Sequence, residues 1–515
     1  MRSHHHRELG LPGAGACCQS ASVSDAKTVH DAKTPPKSSL DRFFHISERG
    51  SSVGREVRGG FATFFTMAYI VVLNPLIIAT AKDVEGQYIA DATSAPIPLV
   101  AAGTAFVAGV LSILMGVIGR VPFAMAAGLG LNAFVTFGIA TQMSWESAMG
   151  LVFLEGVIIA LLVLTGFRTA VFNAIPAQLK TAISVGIGLF IALIGFVDAG
   201  FVRKAPAVPL ELGIEGGLTS WPLLVFVVGL LLTALLVARK VKGAILIGIV
   251  ATTVLAIVVE AVAKVGGPGT PDNPNPFGFR LVVPGLPDNI FGFSNPLVLF
   301  REFDPVGAFS SVSVIMVLLL VFTLLITDFF DTMGTIVGVG GQAGLIKEDG
   351  TLPRTREILL VDSIGAAAGG AGSVSSNTTY IESAAGVGEG ARTGLASVVT
   401  GVLFLLAIFI SPLVGIVPHE AAAPALVVVG FLMMTSIRDI DFTDYEIAIP
   451  AFLTIVLMPF SYSIANGIGA GFVTFVLIKL VKGRAREVHP LMWVVAALFV
   501  VYFALGPIKV LLGLA

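Results

Sequence analysis

Two acidic residues lie inside a long apolar segment, where a carboxylate is costly. Asp328 and Asp331 belong to the run Thr327–Thr335, and in a helix their spacing puts both side chains on one face. A charged group in the middle of a bilayer costs several kcal/mol, so an acid found there indicates a function or a buried partner. Two neighbouring carboxyl groups without a cation resist ionising together. The pair is therefore suited to carrying a proton.

Three further acids fall in or beside apolar segments, namely Glu382, Asp362 and Glu155. Glu382 stands at the start of an apolar segment beside a predicted helix break, and we predict a functional role for it. For Asp362, capping of a helix N-terminus competes evenly with function, and for Glu155 local packing or a shifted segment boundary is the favoured explanation. The deep parts of these segments contain no Lys or Arg to pair with the acids and no His to relay protons.

Two stretches should interrupt helices at membrane depth. The first is Ala124–Phe134, which contains Gly128, Gly130 and Asn132, and the second is Gly369–Tyr380. Glycine costs about 1 kcal/mol per helical position relative to alanine, and Ser, Thr and Asn compete for backbone hydrogen bonds. Broken backbone in a membrane persists only where it is buried or lines a cavity. We therefore expect half-helices that turn their N-terminal N–H groups toward a binding cavity, with close helix packing at the glycines as the alternative.

Composition places these features in a membrane protein. The chain has 515 residues, of which 55% are hydrophobic and 12% charged, and its mean hydropathy is +0.93. A soluble protein averages about 25% charged residues, so an ordinary soluble domain and a disordered chain are both excluded. The net charge of −2 gives no support to nucleic-acid binding. The sequence contains no P-loop, GxSxG or HExxH motif, so we expect no enzyme, no catalytic residues, no metal and no cofactor.

Apolar segments of about 20 residues, the length that crosses a bilayer, follow one another along the chain. The fourteen predicted spans are 59–81, 97–118, 121–141, 147–166, 179–198, 221–238, 243–264, 313–338, 357–371, 381–395, 396–415, 421–437, 445–461 and 463–481. A further apolar stretch, 491–513, either spans the membrane or lies along its surface. With the N-terminus inside, every predicted cytoplasmic connection carries a Lys or Arg, which supports that orientation.

The spans divide into five regions of the chain. The predicted regions are a disordered cytoplasmic arm (1–57), a first repeat of seven spans (58–264), an external loop (265–312), a second repeat of seven spans (313–482) and a C-terminal segment (483–515). Because seven is odd, the two repeats must have opposite orientations. Pro176 precedes Gly188 by the same distance as Pro418 precedes Gly430, at the fifth span of each half. Inverted repeats are typical of secondary transporters, whose substrates bind near the midplane at broken helices.

Three motifs carry a resemblance to a known family. The run Gly59–Ile70, with Glu56 before it and Asn74-Pro75 after it, is similar to the opening span of AzgA-like purine permeases, a branch of the nucleobase–cation symporter 2 (xanthine/uracil permease) family. Asp328–Thr335 resembles the eighth-span motif of that branch. Asn377–Ser383 resembles the tenth-span motif found across the family, uracil permeases included. The resemblance extends over residues 55–482.

The resemblance implies a fold: an all-α polytopic membrane protein of about 14 spans in a 7+7 inverted repeat. Spans 1–4 and 8–11 would form a core domain, and spans 5–7 and 12–14 a gate domain. Spans 3 and 10 would each contain a short strand followed by a half-helix. Members of the family often form homodimers, which we expect here as well.

The resemblance also implies roles for individual residues. A span-eight acid and Glu382 would bind the purine; Asp328 is favoured as the direct ligand and Asp331 is the alternative. Asn132 would support the substrate from span 3. Thr379 and Ser383 belong to the tenth-span motif and join the substrate-binding set, although Ser383 stands where some relatives carry an amide. Asp328, Asp331, Asp362 and Glu382 would form the proton-coupling network.

The expected function is import of purine nucleobases (hypoxanthine, guanine or adenine) by proton symport, with the core moving against the gate. The partners are then the purine, protons, the lipid bilayer and a second copy of the chain, and no nucleic acid. The protein would be a multi-pass protein of the plasma (inner) membrane with a cytoplasmic N-terminus. Three alternatives are an anion carrier of the same architecture, a membrane channel and a membrane-embedded enzyme. Acids at the helix break argue against an anion carrier. The lack of a filter-like repeat argues against a channel. An embedded enzyme is disfavoured because both span-eight acids lie on one helix and do not face each other.

Overall fold

The computed structural model describes most of the chain. The described residues are 38–92, 94–165, 175–205, 208–270, 273–280, 282–286, 289–346 and 352–511. Residues 1–37 of the predicted arm lie outside them. Part of the remainder of that arm is ordered against the membrane helices. Ser39–Phe44 forms a helix, and Phe44 and Ile46 pack against Leu395.

Helices make up most of the described chain. The α-helices are α1 (Ser39–Phe44), α2 (Val53–Met67), α3 (Ile70–Ile78), α4 (Ile97–Leu114), α5 (Leu129–Phe134), α6 (Trp145–Thr165), α7 (Ala177–Asp198), α8 (Trp221–Ala238), α9 (Ala244–Ala263), α10 (Ala308–Ser311), α11 (Val314–Gln342), α12 (Thr355–Ala371), α13 (Ser383–Gly388), α14 (Gly394–Ala407), α15 (His419–Met434), α16 (Tyr445–Phe460), α17 (Ile464–Val481) and α18 (Pro490–Leu511). The strands are β1 (Met125–Ala127), β2 (Val202–Arg203), β3 (Glu211–Leu212), β4 (Gly269–Thr270), β5 (Asn273–Pro274) and β6 (Asn377–Thr379).

The membrane elements follow the predicted order of fourteen spans and confirm the fold class. Within the described residues, nine helical segments are long and apolar enough to cross a bilayer: Val53–Ile78, Ile97–Gly119, Trp145–Thr165, Ala177–Asp198, Trp221–Ala238, Ala244–Ala263, Gly394–Ile416, His419–Asp439 and Ile464–Val481. Five further elements fall between them. They are β1 with α5, the 29-residue α11, α12, β6 with α13, and α16. The helix α18 follows, and its Phe499 packs against Phe472 of α17.

The tenth element differs in its bounds from the predicted span 381–395. It consists of β6 and the six-residue α13, and the next helix already begins at Gly394. Gly390 has a φ of +98°, a conformation that side chains rarely adopt, and it ends the short helix. Thr393 then caps α14 by accepting a hydrogen bond from the backbone N–H of Leu395.

The two interrupted spans meet through their strands. β1 and β6 pair antiparallel, with Met125 opposite Thr379 and Ala127 opposite Asn377. Each strand leads toward a half-helix, α5 after β1 and α13 after β6. The pairing lets each short strand satisfy the other's backbone hydrogen bonds inside the protein, which a lone strand in a membrane could not do.

The fifth spans of the two halves also contact each other, at the two glycines of the sequence echo. A Cβ on Gly188 would lie 2.7 Å from the carbonyl oxygen of Gly430, and a Cβ on Gly430 would lie 2.4 Å from the carbonyl oxygen of Gly188. Any larger side chain would therefore separate α7 from α15.

Helix contacts fall into two groups. In one, α12 packs on α6, and α14 packs on α2 and α4. In the other, α7 packs on α15 and α16, α8 on α9, and α16 on α17. The paired strands lie with the first group, and α5 and α11 contact α7 of the second.

Candidate functional site

Asp331 lies where α11 passes the ends of the paired strands. Thr378 of β6 donates a hydrogen bond from Oγ1 to Oδ2 of Asp331 over 3.1 Å. Gly128, at the end of β1, lies on the other side: a Cβ there would be 3.5 Å from Thr378 Oγ1 and 3.7 Å from Asp331 Oδ2. Asp331 is exposed, while the strand residues around it are buried. Its carboxylate is therefore available to a ligand, and we refer to this position as the open face of the site.

Glu382 lies at the same open face. It occupies the N-cap position of α13, is partly buried, and is close enough to Asp331 for the two charges to interact. The hydroxyl of Tyr69, a buried residue between α2 and α3, donates a hydrogen bond to Oε1 of Glu382. The carboxylates of Asp331 and Glu382 thus lie near each other, and Tyr69 holds that of Glu382 in position.

Asp328 lies about 60° around α11 from Asp331 and faces into the protein. Its side chain is fully buried, and its carboxyl group adjoins that of Glu155 on α6. The carboxyl of Asp362 is also near both. The favoured sequence interpretation made Asp328 the direct ligand, but the geometry gives the open position to Asp331, the alternative.

Asp362 connects three elements. Thr332 of α11 donates a hydrogen bond from Oγ1 to both carboxylate oxygens of Asp362, over 2.9 and 2.8 Å. The backbone N–H of Thr379 in β6 donates to Oδ1 over 3.2 Å. Asp362 therefore ties α12 to α11 and to the strand that carries Thr378.

Several polar groups near the strands are buried without a hydrogen-bond partner. They include both side-chain polar atoms of Asn132, Oγ1 of Thr136 one turn further along the same helical segment, and Oγ1 of Thr379. The remaining ones near the strands are Oγ of Ser375, Oγ of Ser376, Oδ1 of Asn377 and the carboxyl oxygens of Asp328 and Glu155. A buried polar group that lacks a partner costs about 1–3 kcal/mol, so these atoms suit a ligand or water that would satisfy them. Asn132 was predicted for this purpose, and Thr136 was not.

Two residues of the tenth-span motif have structural contacts instead. Ser383 is buried, and its Oγ accepts a hydrogen bond from the backbone N–H of Ala124 over 3.0 Å. The hydroxyl of Tyr380 donates to the carbonyl oxygen of Ala127 over 2.5 Å. Both contacts hold β1 against β6, and the role of Ser383 in substrate binding stays a prediction.

Sequence reasoning missed Tyr69, Thr378 and Thr332 as parts of this arrangement and left Glu155 as a packing residue. Tyr69 and Thr378 both lie within the motifs quoted above, so their position was a usable signal. Their partners, however, are 313 and 47 residues away along the chain. Glu155 showed the clearer signal, a carboxyl group in an apolar helix, but not what it faces.

Comparisons with known proteins agree with this architecture. The model of the xanthine/uracil permeases, described as "Permease family", matches residues 54–470. The guanine/hypoxanthine permease PbuG of Bacillus subtilis is 38% identical over 468 residues, which cover 90% of this chain and 99% of that protein. The adenine permease AdeP of Escherichia coli is 36% identical over 474 residues, 92% of this chain and 97% of that one.

A solved structure shows the same fold. The transmembrane domain of the cyanobacterial bicarbonate transporter BicA superposes with a TM-score of 0.53 at 15% identity, covering 81% of this chain and 96% of that one. A comparison at this low identity supports the fold alone, and that fold is the inverted-repeat architecture expected from the sequence.

Proposed function

Because the chain belongs to the xanthine/uracil permease family, we propose that it transports purine nucleobases across a membrane in symport with protons. The observation that carries this proposal is the pair of carboxylates, Asp331 and Glu382, at the open face beside the paired strands β1 and β6. The names of the relatives support the substrate class, since they are guanine/hypoxanthine and adenine permeases.

The donor and acceptor pattern of the site suits a purine. Purines present ring N–H and exocyclic donors next to acceptor nitrogens and carbonyls. The carboxylates of Asp331 and Glu382 accept hydrogen bonds from the ring donors. The amide of Asn132 and the hydroxyls of Thr136 and Thr379 donate to the acceptor nitrogens and carbonyls. In this proposal Asp331 and Glu382 bind the base directly.

Alternating access fits the way the site is built between two groups of helices. We assign spans 1–4 and 8–11 to a core and spans 5–7 and 12–14 to a gate. The half-helix α5 abuts the gate at Gly130, where a Cβ would lie 2.8 Å from Ile187 of α7. Sliding of the core against α7 would open the site first to one side of the membrane and then to the other. The proposal includes a cytoplasmic N-terminus, the plasma (inner) membrane and a homodimer.

An anion carrier is the main competing function, because the solved neighbour named above carries bicarbonate. An anion site needs positive donors that no carboxylate offsets, and among the described residues no Lys or Arg forms an ion pair with Asp331 or Glu382. A site built from carboxylates repels an anion, which favours a neutral, hydrogen-bond-donating substrate.

Uptake of radiolabelled hypoxanthine by cells or proteoliposomes that contain the protein tests this proposal. Unlabelled guanine, adenine, xanthine, uracil and bicarbonate serve as competitors. We expect a purine to compete, bicarbonate to have no effect, and an inward proton gradient to drive accumulation. Competition by bicarbonate but by no purine would refute the substrate class. Purine uptake that ignores the proton gradient would refute symport alone.

A further inference from the structure

Glu155 has no role in the binding site described above, yet it lies fully buried against that site. Glu155 belongs to α6, and the next residue, Gly156, brings the helix very close to α12: a Cβ there would lie 2.2 Å from the backbone nitrogen of Ala367. This close approach sets the Glu155 carboxyl beside the helix that carries Asp362 and against Asp328 of α11.

The surroundings of Glu155 and Asp328 differ from those of the other acids. Asp362 accepts three hydrogen bonds from a hydroxyl and a backbone N–H, Asp331 accepts one from Thr378, and Glu382 accepts one from Tyr69. Glu155 and Asp328 lie beside each other instead, and none of their four carboxyl oxygens, all of them buried, accepts a hydrogen bond from another described residue. The hydroxyl of Ser376 lies near Glu155 and is likewise buried without a partner.

The groups that face this pair from every neighbouring element are acids or neutral. They are Asp362 from α12, Asp331 from α11, and Ser376 from the turn before β6. The described residues place no Lys, Arg or His in that set. Two adjoining buried carboxylates without a cation cannot both be ionised at a tolerable cost, whereas one proton between them turns repulsion into a hydrogen bond.

We propose that Glu155 and Asp328 share one proton, and that this shared proton is the one that accompanies the substrate. This inference rests on the proposed function. Asp331 lies three residues after Asp328 on α11, so the pair communicates with the open face along one helix. The proton passes from water at the open face to the pair when the substrate enters, and it leaves by the same route on the other side of the membrane. Glu155 acts as a positioning and proton-holding residue and does not touch the substrate.

Glu155→Gln separates coupling from binding. The amide keeps the size of the side chain and a hydrogen bond to Asp328, but the pair can no longer gain and lose the shared proton. In proteoliposomes we expect purine counterflow within about twofold of wild type. Accumulation driven by a pH gradient should fall from about tenfold per pH unit, the limit for one proton per purine, to no accumulation. Glu420→Gln is the matched control, because Glu420 is also a fully buried acid but lies outside this cluster. Its accumulation should equal that of wild type.

Each outcome decides between the ideas. Gradient-driven accumulation that is unchanged in Glu155→Gln overturns the shared proton. Absence of any purine transport by wild type overturns the proposed function itself. Should Glu155→Gln fail to fold, infrared spectroscopy of wild type at neutral pH supplies the second measurement. A protonated-carboxyl band that responds to purine binding supports the pair, and the absence of such a band overturns it.

Discussion

Asp331→Asn tests whether the exposed acid of α11 binds the substrate. The substitution keeps the shape of the side chain and removes the charge that a purine N–H would meet. A hydrogen bond to a charged group is worth about 1.5–3 kcal/mol, so its loss should raise the KM for purine uptake about 10- to 150-fold. The cost to folding should stay below about 1 kcal/mol, because Asp331 is exposed and its contact with Thr378 survives with the amide oxygen.

The assay is initial-rate uptake of labelled purine over a range of concentrations, with the amount of protein in the membrane measured in parallel. Asp439→Asn is the matched control: it removes a carboxylate that is 65% exposed and lies beside Arg438, outside the site. Its KM should equal that of wild type. A wild-type KM in Asp331→Asn would refute the assignment of Asp331 to the open face and return Asp328 to consideration as the ligand.

Three other substitutions probe the site and its support. Glu382→Ala should abolish purine uptake at unchanged membrane levels, and normal uptake in this variant would exclude it as a ligand. Gly128→Ala should fold, since its nearest new contact is the movable Leu131 side chain at 3.1 Å. The added methyl group occupies part of the open face and should raise the KM for purine uptake about tenfold. Thermal stability measured alongside uptake separates an effect on folding from an effect on binding. Gly430→Ala should destabilise the protein by about 1–3 kcal/mol, because its Cβ would overlap the carbonyl oxygen of Gly188; an unchanged melting temperature would contradict the close α7–α15 contact.

The breaks in the two interrupted spans could be predicted because they are local. Gly128 and Gly130 in one half, and the Gly, Ser, Asn and Thr run before Tyr380 in the other, are poor helix formers in any context. Pairing of the two strands depends on residues about 250 positions apart. Single-sequence patterns contain no such information, and the resemblance to a family implied the two strands but not their pairing.

The choice between Asp328 and Asp331 shows what a pattern cannot decide. Residues three apart on a helix differ by about 60° in direction, so both satisfy any test of helical spacing. Rotation of α11 about its axis decides which acid is exposed, and contacts with Glu155, Asp362 and Thr378 fix that rotation. Those contacts come from three other elements.

The sequence alone determined the class of protein, the order of its membrane elements and the places where helices break, since hydropathy and backbone propensity act over short distances. It also singled out the acids, because a carboxyl group is conspicuous in an apolar segment. Tertiary structure alone decided how those acids divide: Asp331 and Glu382 toward an open face, Asp328 and Glu155 toward each other. The physical reason is that burial and partnership of a charge depend on residues brought together from distant parts of the chain.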